Sequence, residues 1–73
     1  METTKLLFRV TRKEINIVQW IIESYDGMAA MRTVDPQEAI IEIMVSPGCR
    51  TMILELVYSL RERYEIERMQ YIS

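Results

Sequence analysis

The chain has no histidine, one cysteine, two glycines and two prolines among its 73 residues. Without histidine, the usual imidazole base and the commonest metal ligand are excluded. The lone Cys49 rules out an internal disulfide and the familiar cysteine-rich metal clusters. Apolar runs are only a few residues long, far short of the roughly 20 that span a bilayer, so no membrane association is expected. Met1 to Lys5 lacks the basic-then-apolar order of a secretory signal, and the expected address is cytoplasmic. Neither sign of charge dominates: nine basic residues face eleven acidic ones, for a net charge of -2. No broad positive field is available to hold nucleic acid.

What is present is the composition of a folded domain: 49% hydrophobic residues outweigh 27% charged ones, the reverse of the balance in disordered chains. The length allows one domain, residues 1–73. A chain this short buries only about 60% of its unfolded surface, so a partner is a common source of further stability.

The period of the apolar residues changes along the chain. From Lys5 to Val10, Leu6, Phe8 and Val10 alternate with Lys5, Leu7 and Arg9, as on a strand. Thr11-Arg12-Lys13-Glu14 has the T-x-x-E form of a capping box, which predicts that the Thr11 hydroxyl accepts from the Glu14 N–H. Ile15, Val18, Ile21, Ile22 and Tyr25 then recur at helical steps, and Asp26-Gly27 supplies a stop. Met28 to Val34 is extended in pattern, Asp35-Pro36-Gln37-Glu38 is a turn, and Ala39 to Val45 is a β-branched strand. Ser46-Pro47 offers an N-cap with proline at the first helical position. In the helix that follows, Met52, Ile53, Leu56, Val57, Leu60 and Tyr64 share one arc. Residues 65–72 fit a fourth edge strand through Ile66 and Ile72, and also fit a continued helix; the strand is the favoured reading.

That order, βαββα with a fourth edge strand, predicts an α+β fold: a ferredoxin-like two-layer sandwich with both helices on one face of an antiparallel sheet.

Three surfaces are candidates for function. Ile17 and Trp20 lie more than about 100° from the core stripe of the first helix, and Leu54 and Tyr58 sit opposite that of the second. These four residues are the expected homo-oligomer interface, because aromatic residues are enriched at such surfaces. The outer sheet face carries Leu7, Arg9, Ile40, Glu42 and Met44, with Arg9 and Glu42 expected to pair across neighbouring strands; it can dock another protein. Arg9, Arg12 and Lys13 cluster around the start of the first helix, where backbone N–H groups favour a small anionic ligand. No cofactor or metal is expected. Met28 and Met31 have a soft-ligand spacing that core packing explains as well, and Cys49 has neither a histidine nor a second cysteine to assist chemistry.

Two resemblances follow from particular residues. The run from Phe8 to Val45 and the Ser46-Pro47-Gly48 after it, with Glu23-Ser24-Tyr25-Asp26-Gly27 and Arg32-Thr33-Val34-Asp35-Pro36 as its recognisable pieces, resembles a family of short bacterial proteins built on a domain of unknown function. More distantly, the strand-helix-strand-strand portion resembles ACT-type regulatory domains, which bind amino acids or other small effectors and associate side by side. That resemblance implies a non-enzymatic, ACT-like regulatory or small-ligand-binding module acting as a homo-oligomer. The alternative is an interaction subunit that docks through its outer sheet face. ACT domains that sense amino acids carry Asp and Gly in their first loop, where this chain has Thr11 to Glu14. The outward Ile40, Glu42 and Met44 provide none of the stacking aromatics of an RNA-recognition motif, and the first loop has none of the cysteines of a heavy-metal-associated domain.

Overall fold

A computed structural model describes residues 4–25 and 27–69. Strand β1 (Thr4–Val10) leads through a 3₁₀ turn (Arg12–Glu14) into helix α1 (Ile15–Glu23). Strands β2 (Ala29–Asp35) and β3 (Ile40–Val45) form a hairpin, helix α2 (Arg50–Leu60) follows, and β4 (Ile66–Met69) closes the order. All pairings are antiparallel, and the strands lie in the order β2-β3-β1-β4. The tail thus forms a strand rather than extending α2. Ile72, expected in that strand, lies outside the described residues, as does Asp26.

Period-two patterning decides which side of the sheet is dry. Leu6, Phe8 and Val10 of β1, Met31 of β2, Ile41, Ile43 and Val45 of β3 and Ile66 of β4 are buried on one face. They form a single core with Val18 and Ile22 of α1 and Ile53, Val57 and Leu60 of α2. The shortest dimension, 17 Å, leaves room for one helix layer over one sheet. Most of the expected core is therefore in place. Two residues depart from it and are exposed: Met52, because the buried arc of α2 centres on Ile53 and Val57 and Met52 falls about 100° to one side, and Tyr25, because α1 ends at Glu23 and Tyr25 lies beyond it.

Both expected helix caps are replaced by other contacts. The Glu14 N–H donates to the Thr11 carbonyl at 2.8 Å, closing the 3₁₀ turn, while the Thr11 hydroxyl donates to Glu65 Oε2 at 3.4 Å. No capping box forms. Ser46 Oγ donates to the Gly27 carbonyl at 2.8 Å, and the Ser46 N–H donates to that of Met28 at 2.8 Å. Ser46 therefore ties the start of β2 to the end of β3, and the helix begins only after Cys49. Gly48 between them has φ +84°, a conformation that glycine adopts without strain.

The hairpin turn is built as its residues suggest. Asp35 Oδ1 accepts from the N–H groups of Gln37 and Glu38 at 3.0 and 3.1 Å, the side-chain turn that favours aspartate here. Ala39 then takes a positive φ of 56° and stays outside the strand that was expected to begin with it. Its carbonyl accepts from the Val10 N–H at 2.9 Å, so the turn is fastened to β1 as well.

Candidate functional site

The cations expected to gather at the start of α1 are distributed. The Arg9 guanidinium reaches Glu38 Oε1 at 3.5 Å, at the exposed end of the hairpin turn. A surface depression of about 460 Å³ is lined by Arg9, Thr11, Arg61 and Tyr64 among others, together with Glu65 and Glu67. A second, of about 380 Å³, adjoins Lys13, Arg61 and Arg63 but also Glu14, Glu62 and Glu65. Carboxylates match cations in each, so neither offers the net positive field that an anion requires. Arg12 lines neither depression.

The four interface candidates divide by environment. Trp20 is 69% exposed and Ile17, one turn earlier, 38% exposed. They are neighbours on one side of α1, because residues three apart on a helix lie above one another. On α2, Tyr58 is exposed and carries the Arg61 guanidinium over its ring at 5.7 Å. Leu54 is half-buried and packs against the core.

The outer sheet face holds the least ordinary group in the molecule. Register places Leu7 of β1 and Arg32 of β2 on either side of Glu42, and its same-face neighbours along β3 are Ile40 and Met44. Neither described helix covers this face, yet the Glu42 side chain is only 4% exposed. Arg32 Nε donates to Glu42 Oε1 at 2.9 Å, and the Arg32 side chain is 63% exposed. The expected Arg9–Glu42 pair does not form: Arg9 sits opposite Ile40, one same-face position away. Counting back from the turn, where Asp35 pairs with Ile40, would set Thr33 against Glu42; the register shift between Thr33 and Asp35 puts Arg32 there instead. Among the described residues no group of three or more acidic or cysteine side chains has a metal-holding arrangement, and no helix is long and apolar enough to cross a membrane.

Among the described residues, these features define a small α+β domain with a four-stranded antiparallel sheet and two helices. The profile of the family described as Domain of unknown function (DUF4911) matches residues 8–63, and the chain belongs to that family. No curated protein and no solved structure matches the chain.

Proposed function

We propose that this chain is a non-catalytic, ACT-like regulatory module that acts as a homo-oligomer through the outer side of its helix layer. The strand order β2-β3-β1-β4, with a helix after β1 and another after β3, supports the ferredoxin-like arrangement on which this reading rests. The observation that carries the contact is Trp20, the largest side chain in the protein, standing 69% exposed beside Ile17 on a regular helix. Because Ile17 is already mostly buried, covering the pair gains chiefly from Trp20, on the order of 2–3 kcal/mol, and tryptophan is prominent among residues that dominate interfaces. A small anion at Arg9, Arg12 and Lys13 is not part of this reading, because acidic side chains balance the cations around both depressions.

Analytical ultracentrifugation of the wild type and Trp20→Asp tests the contact. The wild type is expected to sediment as an oligomer and the variant as a monomer with unchanged circular dichroism. Two equally monomeric proteins would overturn the reading.

A second reading is favoured by a separate observation. The open sheet face presents Leu7, Ile40 and Met44 around the buried Glu42, and a face of this kind suits docking to another protein. Here Leu7→Glu is the diagnostic substitution, since it charges that face while leaving the helix layer untouched.

A further inference from the structure

Resting on the second reading, we infer that Arg32 is a pre-oriented anchor for a carboxylate, and that the outer sheet face accepts an acidic, partly apolar segment of a partner protein. The ion pair at its centre is lopsided: the carboxylate end is 4% exposed and the guanidinium end 63% exposed. An approaching surface therefore meets the cation and not the anion.

The contact between them uses Nε at 2.9 Å. An arginine carries further donors on its two terminal nitrogens, in a rigid plane that matches a carboxylate. Holding Nε fixes the orientation of that plane, which lowers the ordering cost of binding. Among the described residues, Glu42 is the one ion-pair partner of Arg32. Arg9, the other arginine on this face, is turned onto Glu38 at 3.5 Å. Leu7, Ile40 and Met44 surround Glu42 with half-buried apolar surface, so an occupant gains from apolar groups next to its carboxylate. Attraction between a buried-carboxylate-backed arginine and an acid is a charge-assisted, bidentate interaction, the kind that gives direction as well as affinity.

Selection of a random displayed peptide library against the immobilised wild-type chain tests this without knowledge of the partner. Enriched peptides are expected to combine Asp or Glu with apolar residues and to lose binding to Leu7→Glu. Their affinity should fall about tenfold or more with Arg32→Gln, and less with Arg32→Lys, which keeps the charge but not the fork. Glu42→Gln should weaken binding by loosening the hold on Arg32 Nε, and circular dichroism of each variant separates this from unfolding. Peptides that lose binding with Leu7→Glu but bind Arg32→Gln as tightly as wild type would overturn the anchor while sparing the docking face. Selected peptides indifferent to Leu7→Glu, or a selection that enriches none, would overturn the docking face and the anchor together.

Discussion

The two faces of the sheet are made by alternate residues of the same strands, yet they solve burial in opposite ways. On the inner face Ile41, Ile43 and Val45 are dry because two helices cover them. On the outer face, between the same residues, Glu42 is dry although neither described helix covers it. The inner face stabilises by the area it removes from water and by close packing. The outer face keeps a desolvated carboxylate, which costs free energy unless a cation and hydrogen bonds compensate it. On the docking reading proposed above, the exposed end of this pair serves recognition, whereas the inner face serves folding.

The contrast is sharpest for substitutions on the inner side. Ile43→Ala leaves a cavity in a fully packed core and should cost about 2–5 kcal/mol. For a domain of this size that is much of the total stability, and urea titration should show a partly or wholly unfolded protein at 25 °C. A loss below about 1 kcal/mol would mean that the inner face is looser than its burial indicates.

Next in size is an asymmetry within the outer pair. Arg32→Leu leaves the Glu42 carboxylate buried without its guanidinium and should cost about 1–3 kcal/mol. Glu42→Leu removes the buried charge itself, leaves an arginine that water can solvate, and should be near neutral or stabilising. Equal losses from the two variants in urea denaturation would put the faces on the same footing and break the comparison.

The smallest effect belongs to exposed apolar groups. Trp20→Ala should change monomer stability by no more than about 0.5 kcal/mol while reducing self-association in sedimentation. A large loss of thermal stability in dilute monomeric protein would instead make Trp20 part of the core margin.

Several elements were legible because their signal is local. Alternation in Lys5–Val10 and Ala39–Val45 identified both the strands and their buried sides, and three- to four-residue spacing located Val18 and Ile22. Thr11 and Ser46 were misread for a shared reason. Each has the chemistry of a cap, but a hydroxyl takes whichever partner the fold brings near. For Thr11 that partner is Glu65, and for Ser46 it is the Gly27 carbonyl, both far away in sequence. Among the site residues, exposure of Ile17, Trp20 and Tyr58 followed from helical geometry. The cluster of Arg9, Arg12 and Lys13 was expected from sequence proximity, which says nothing of the glutamates that α2 and β4 deliver to the same corner.

By itself, the sequence determined the order of strands and helices through α2 and which side of β1 and β3 is apolar, because those properties repeat within a few residues; that the tail is a strand was settled by its pairing with β1. Only the tertiary structure decided that Glu42 meets Arg32 rather than Arg9. The pairing of β1 with β3 spans a helix and a hairpin, and sliding that register by two residues leaves every side chain on its own face. The apolar pattern is satisfied equally by either register. Packing and hydrogen bonding across the whole sheet select between them, and with that selection comes the one buried charge among the described residues.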